Sequence, residues 1–158
     1  IMFDPRHPNA KNIVNTVKKR EAYRPFACTV MLEHAEEYFD VLQLPESPWM
    51  SFAIQCKPKA LKDIPTLVHA DNTCRIQTVT EEQNKNYYNL IKGFYERTGV
   101  PIIFNTSFNL GGEAICETIY DAIDTCNRSM INHLYVPEDQ EIEIPYECIR
   151  DKTEYIPD

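Results

Sequence analysis

Nothing in this sequence approaches the run of about 20 apolar residues needed to span a bilayer. The start, Ile-Met-Phe-Asp-Pro-Arg, has neither a basic segment nor a long apolar one, so no secretory leader is expected. Glycine is scarce, with four residues in 158, and no Walker-type glycine loop is present. The single pair, Gly111-Gly112, is by itself a weak phosphate signal. Six cysteines, at 28, 56, 74, 116, 126 and 148, include no Cys-x-x-Cys, which argues against a zinc site. Several lie in apolar surroundings, as small core residues do, so free thiols and a reducing, cytoplasmic compartment are expected. Internal repeats and low-complexity tracts are missing too. Positive charge is in deficit, with a net charge of −8. Such a chain lacks the cations that general nucleic-acid binding requires.

The deficit is uneven. From Pro137 onward there are eight acidic and two basic residues, which leaves residues 1–136 at −2. A local basic pocket for a small phosphorylated ligand is therefore compatible with the composition. A length of 158 residues with 43% hydrophobic and 25% charged residues fits one globular domain with a real core. The chain opens without an initiator Met, on an apolar triplet, and reads as a piece of a longer polypeptide. The expected division is a folded unit over 1–136 and an acidic extension over 137–158, packed on that unit or trailing from it.

The most informative stretch runs from Val100 to Glu113. Ile102, Ile103 and Phe104 follow a Gly-Val-Pro turn and read as a strand buried on both faces. The run ends in Asn105, Thr106, Ser107 and Asn109, closed by Gly111 and Gly112. Open α/β sheets place ligand loops at the carboxyl ends of such strands; an ordinary strand-to-turn exit is the plainer alternative.

Elsewhere, Asn9 is positioned to cap a helix running to about Arg20, with Ile13, Val14 and Val17 as its apolar stripe. That helix ends in Lys18-Lys19-Arg20, where cations suit the backbone dipole. With Arg24, four cations fall within seven residues. A solvated basic face is one reading; the other holds Arg24, before Pro25, in an extended segment beside the core. Glu33 to Leu44 reads as an amphipathic helix broken by Pro45. Trp49–Cys56 reads as a mostly apolar strand, Lys57–Pro65 as a loop or short helix, and Thr66–His69 as a further strand before a turn. Cys74–Val79 alternates, with Cys74, Ile76 and Thr78 on one face and Arg75, Gln77 and Val79 on the other. Arg75 is either a solvent-facing edge residue or an inward anion ligand.

Glu81–Thr98 is the best helix, closed by Gly99, with Tyr87, Ile91, Phe94, Tyr95 and Thr98 as a core stripe. Thr118 and Asp121 have capping-box spacing ahead of a helix to about Ser129. His133–Val136 reads as a last strand. This order of elements favours an α/β (α+β) mixed sheet with helices on its faces.

Two polar constellations stand out: Lys18-x-Arg20 with Arg24, and Ser107-x-Asn109. Guanidinium and ammonium groups neutralise phosphate charge, while hydroxyls and amides orient phosphate oxygens or a planar carbonyl–amide group. Together they suit a phosphoanhydride or acyl-phosphate substrate.

Three blocks of residues also carry a family resemblance. Lys18-Lys19-Arg20-Glu21-Ala22-Tyr23-Arg24-Pro25-Phe26-Ala27 resembles the Lys-x-Arg-Glu-x-x-Arg-Pro-Phe-Ala signature of the nodulation and antibiotic-type O-carbamoyltransferases. His69-x-Asp71-x-Thr73-x-Arg75-x-Gln77-x-Val79 resembles a second block, and Thr98–Pro101 through Asn105–Asn109 and Gly112-Glu113 a third. The blocks come in family order over about residues 1–136, and the likeness is to the carboxyl-terminal domain. Cys28, where members commonly have Pro, and Leu110, where they have Val or Arg, depart from the pattern.

The resemblance implies a YrdC-like twisted mixed sheet, the fold type of threonylcarbamoyl-adenylate synthase. It implies an ATP-dependent O-carbamoyltransferase domain that binds ATP, Mg2+ and carbamoyl phosphate and forms carbamoyl-adenylate. A larger, metal-bearing amino-terminal domain, absent from this chain, would pass the carbamoyl group to a hydroxyl acceptor. On that basis Lys18, Arg20, Ser107 and Asn109 are the expected catalytic residues. Arg24, Arg75, Asn105, Thr106 and His69 are the expected ligand-binding ones, with Arg75 on the inward face of its strand. No metal ligands are assigned within this chain, and neither nucleic acid nor membrane is an expected partner. A non-catalytic nucleotide- or RNA-binding module of the same fold is the alternative.

Overall fold

The computed structural model describes residues 1–41, 44 and 46–136. Five strands, β1 (Met2–Phe3), β2 (Ala27–Met31), β3 (Phe52–Gln55), β4 (Thr73–Val79) and β5 (Ile102–Asn105), form one sheet in the order β1-β5-β2-β4-β3. The central pair β2 and β4 is parallel; β5 runs antiparallel to β2, β3 to β4, and β1 to β5. Among the described residues five α-helices accompany it: α1 (Ala10–Lys18), α2 (Ala35–Tyr38), α3 (Pro58–Asp63), α4 (Lys85–Thr98) and α5 (Ile119–Asn127). The expected α/β mixed sheet with helices on its faces is borne out.

The sheet buries its two faces unequally. Cys28, Val30, Cys74, Ile76, Ile102 and Phe104 form the main core with Val14 of α1, Ala35 and Tyr38 of α2, and Ala60 of α3. On the opposite face only a small cluster forms, where Ile91 of α4 meets Met31, Val79 and Ile103. Helix α4 thus covers one end of that face. At the other end Arg75 and Ala53 stay exposed.

Local chemistry accounts for most boundaries. Asn84 caps α4 through its side chain and Gly99 ends it at φ 74°, four residues later than the expected start at Glu81. The capping box of Thr118 and Asp121 is present in both directions, though α5 stops at Asn127. Helix α1 is shorter than expected. Asn9 precedes it without a side-chain cap, and Lys19 in the left-handed region (φ 51°) ends it.

Other expectations are corrected. The helix expected over Glu33–Leu44 is a 3-10 turn at Leu32–His34 followed by the single turn of α2. Phe39 leaves the helix because its fully buried ring and a bridge to Cys56 hold it extended; Leu42, Gln43 and Pro45 lie outside the described residues. The strand expected from Trp49 is only Phe52–Gln55, since Met50 at φ 56° turns the chain first. Thr66–His69 is not a strand. Pro65–Leu67 is a 3-10 turn that buries Leu67. Residues 131–136 carry no strand, so the one expected at His133–Val136 is absent, and the acidic segment 137–158 lies outside the described residues.

Phe104 sits at the centre of the main core, fully buried, with ring centroids 4.5 Å from Phe26 and 6.4 Å from Phe3. Phe104→Ala is expected to cost about 3–5 kcal/mol, read as a lowered urea midpoint at unchanged slope.

Candidate functional site

Helix α1 directs every fourth residue inward: Ala10, Val14 and then Lys18, which is 2% exposed. The apolar stripe of the helix therefore ends on an ammonium group. Its Nζ donates to the Ser107 carbonyl at 2.6 Å, Asn109 Oδ1 at 2.9 Å, the Asn109 carbonyl at 3.0 Å and Ser107 Oγ at 3.2 Å. The two polar constellations meet here. Ser107 Oγ donates to Asn109 Oδ1 at 2.6 Å, and Asn109 Nδ2 donates to the Glu113 carbonyl at 2.8 Å. Burial, then the charge of Arg20, pushes the Lys18 ammonium down to about 8. Four oxygens for three N–H bonds oppose that shift, so at neutral pH the group remains charged.

The loop after β5 lies unusually close to α1. The Gly111 N–H donates to the Lys18 carbonyl at 2.6 Å. A Cβ at Gly111 would stand 2.8 Å from the Lys19 carbonyl oxygen and 3.1 Å from that of Lys18. Both obstacles are backbone and cannot swing aside.

Arg20 stacks over the Phe26 ring at 3.9 Å, with Nε donating to Asn15 Oδ1 at 2.8 Å and Nη2 to the Pro25 carbonyl at 3.2 Å. Burial and the neighbouring positive charges of Arg24 and Arg75 lower its pKa, partly opposed by Glu21. Arg24 is exposed and paired with Glu21 at 3.0 Å, which fits the solvated reading of the cluster and not the segment held beside the core. The turn that brings the Arg24 N–H to the Glu21 carbonyl also brings their side chains together. Arg75 is exposed rather than inward, because its sheet face is left open at that end. Among the described residues Arg75 makes no ion pair and no side-chain hydrogen bond. Three guanidinium groups therefore gather at one end of the sheet, and of them only Arg24 is ion-paired, to Glu21.

Asn105 and Thr106 lie where β5 runs into the loop. Asn105 Nδ2 donates to Thr29 Oγ1 at 3.0 Å and Gln77 Oε1 at 3.1 Å; the Thr106 backbone pairs with Ile1. His69 has both ring nitrogens engaged, Nε2 with the Phe26 carbonyl and Nδ1 with Thr73 Oγ1, each at 3.1 Å. It stitches the turn before β4 to the start of β2.

Residue-by-residue reading passed over Asn15, Thr29 and Tyr87 as parts of the site. Thr29 is hidden in the run Ala-Cys-Thr-Val-Met and Tyr87 in an aromatic stripe. Gln77 carried a signal, since the alternation of β4 places it on the Arg75 face.

Fold and site together define an α/β domain with a cationic rim around a hydroxyl–amide loop. The family model for the carbamoyltransferase C-terminus matches residues 1–140, and the chain belongs to that family. It is 42% identical over 130 residues to the nodulation protein NolNO of Sinorhizobium fredii, covering 79% of this chain and 19% of the relative. The nodulation protein NolO of Bradyrhizobium diazoefficiens is 39% identical, with 79% and 23% covered. A 3'-hydroxymethylcephem-O-carbamoyltransferase of Amycolatopsis lactamdurans is 26% identical, with 86% and 25% covered. The chain thus spans between 19% and 25% of these relatives' lengths and matches a carboxyl-terminal domain of larger proteins. Among the described residues no helix is long and apolar enough to cross a membrane.

Gly111→Ala is expected to displace the loop from α1 and cost about 1–3 kcal/mol, measured by urea denaturation; an unchanged midpoint contradicts the close packing. The Lys18 side chain, followed by carbon-detected NMR at Cε, is expected to titrate near pH 8. Because the folded value lies below that of the unfolded chain, the unfolded state binds more protons between the two. The Lys18 contribution to stability therefore rises with pH above about 8. A midpoint above 10 contradicts the burial.

Proposed function

We propose that this chain is the part of an O-carbamoyltransferase that binds ATP and carbamoyl phosphate and joins them into carbamoyl-adenylate. The observation that carries this reading is the crowding of Arg20, Arg24 and Arg75 beside the loop that Lys18 holds. Positive charge held together with so little compensation favours a polyanionic ligand.

Carbamoyl phosphate loses its phosphate by hydrolysis and supplies carbamate. A carbamate oxygen attacks the α-phosphorus of ATP. The bond from that phosphorus to the oxygen bridging the β-phosphorus breaks, pyrophosphate leaves, and carbamoyl-adenylate remains. An anionic nucleophile approaching a triphosphate is repelled unless fixed cations neutralise the charge in the transition state.

Arg75, exposed and unpartnered among the described residues, is assigned to the phosphates, with Arg20 and Arg24 at the rim. Arg20 is aimed by Asn15 and the Phe26 ring, so little side-chain freedom is lost when it binds. Ser107 would turn its hydroxyl proton from Asn109 Oδ1 to a phosphate oxygen or the carbamoyl carbonyl when the ligand binds. Lys18 holds Ser107 and Asn109 in place and adds positive potential from behind. Thr106 and Asn105 shape the start of the loop.

Magnesium supplies charge neutralisation on the triphosphate when bound. Among the described residues no group of three His, Cys, Asp or Glu side chains is placed to hold a metal, so the ion would be carried on the nucleotide's own oxygens. Transfer to the hydroxyl acceptor is assigned to the larger part of the protein that the relatives possess.

Calorimetric titration with ATP and magnesium is expected to show saturable binding, and carbamoyl phosphate is expected to trigger pyrophosphate release. Arg75→Ala should weaken ATP about tenfold or more, the scale of one charge-assisted contact, while leaving the urea midpoint unchanged. A folded chain that binds no ATP, or an Arg75→Ala chain that binds it as well as the parent, contradicts the proposal.

A further inference from the structure

On the sheet face that meets α4, the hydrogen bonds around the buried Thr29 allow one polarity only. Gln77 Nε2 donates to the Pro48 carbonyl at 3.0 Å. A carbonyl can only accept, so this bond fixes which end of the Gln77 amide is which. Gln77 Oε1 is then turned toward Thr29 and Asn105, and accepts from Thr29 Oγ1 at 2.9 Å and Asn105 Nδ2 at 3.1 Å.

The Thr29 hydroxyl has one proton, which goes to Gln77, and two lone pairs. These accept from Tyr87 OH at 2.9 Å and Asn105 Nδ2 at 3.0 Å. Burial pushes the Tyr87 hydroxyl up to about 12, so it stays a donor throughout the physiological range. Asn105 Nδ2 faces both Thr29 Oγ1 and Gln77 Oε1. Its Oδ1 accepts no hydrogen bond among the described residues. Turning the amide over would set Asn105 Oδ1 against Gln77 Oε1, two acceptors in contact.

Across the sheet, Asn105 pairs in register with Ala27, Ala27 with Arg75, and Arg75 with Ala53. These four residues form one row on that face. Neighbouring strands lie about 4.8 Å apart, so Asn105 and Arg75 stand about 10 Å apart at Cα. Ala27, the residue between them, is fully buried. The row thus carries an amide oxygen with no partner among the described residues at one side and a guanidinium with no ion pair among them at the other.

We propose that Asn105 Oδ1 is the group that reads the NH2 of the carbamoyl moiety, and so sets the preference for a carbamoyl over an acetyl phosphate. The ligand chemistry that fits is an amide N–H donor a few ångströms from an anionic phosphate. Asn105 is then a specificity residue that touches the substrate. Pro48, Gln77, Thr29 and Tyr87 act through it, by holding its amide the right way round. The assignment rests on the carbamoyl-phosphate reading above.

The test is calorimetric titration of the whole chain, in the presence of ATP and magnesium, with freshly prepared carbamoyl phosphate and, separately, acetyl phosphate. Acetyl phosphate replaces the NH2 with a methyl group and keeps the phosphate. The parent chain is expected to prefer carbamoyl phosphate by about tenfold or more, the scale of one hydrogen bond. Asn105→Ala should abolish that preference, weakening carbamoyl phosphate about tenfold and changing acetyl phosphate by less than about twofold.

Gln77→Leu removes the anchor of the amide without touching the ligand, and should also erode the preference while phosphate binding persists. It decides the matter if the Asn105 variant does not fold. Binding of both ligands with a ratio near one, or equal weakening of both by the two substitutions, overturns the role of Asn105 alone. Binding of neither ligand by the folded parent overturns the carbamoyl-phosphate reading and this assignment together.

Discussion

One buried ammonium fastens parts of the chain 89 residues apart in sequence. Taking a lysine out of water is unfavourable unless its protons find acceptors. Here Lys18 finds four oxygens, all from Ser107 and Asn109. The same contact sets Ser107, Asn109 and Gly111 of the loop after β5 against α1. A bulkier loop would not reach α1, and Gly111 lies so close to the Lys18 and Lys19 carbonyls that even a methyl group does not fit. Lys18 is also the last residue of α1, where the helix dipole favours a cation. The structural and electrostatic reasons for a lysine at this position therefore coincide.

From that fastening the rest of the site follows. The end of α1 leads directly into Arg20, and β2 begins a few residues later. Because β2 lies between β5 and β4, the loop at Ser107 and the guanidinium of Arg75 share one end of the sheet. Unequal coverage of the two faces then matters. The face with Cys28, Ile76 and Phe104 is filled by three helices and supplies stability. The opposite face packs on α4 through Ile91 at one end and leaves Arg75 and Ala53 exposed at the other, with Thr29 buried between. An acidic chain, at −8 overall, keeps a concentrated patch of positive potential there.

Much of this was legible in the residues. The buried strand before the polar loop, the Thr118–Asp121 capping box and the Gly99 helix end are local signals, and each is found where its chemistry requires. The alternation in β4 correctly separated Cys74, Ile76 and Thr78 from Arg75, Gln77 and Val79. Signals that depend on tertiary neighbours were weaker. The apolar run at Trp49 promised a longer strand, yet Trp49 is 84% exposed and the chain turns at Met50. Phe39 fits a helical stripe but is drawn into an extended bridge by the core. Arg24 precedes a proline, which favours extended backbone, and still lies at the surface because Glu21 is within reach. Thr29 looks like one more β-branched strand residue; its hydroxyl matters only once Gln77, Asn105 and Tyr87 are known to surround it. Register between distant strands brings Thr29, Gln77 and Asn105 together, the packing of α4 adds Tyr87, and no local spacing encodes either.

The account depends on the location of the anion site more than on any single contact. Side-chain and backbone NMR of the labelled chain, titrated with ATP and magnesium, tests that location most directly. The account predicts shifts concentrated at Ser107–Gly112 and at the Nε resonances of Arg20, Arg24 and Arg75, with the helix face of α3 unmoved. Shifts that instead cluster around the exposed edge at Trp49 and Phe52, leaving Ser107 and Arg75 untouched, would contradict it.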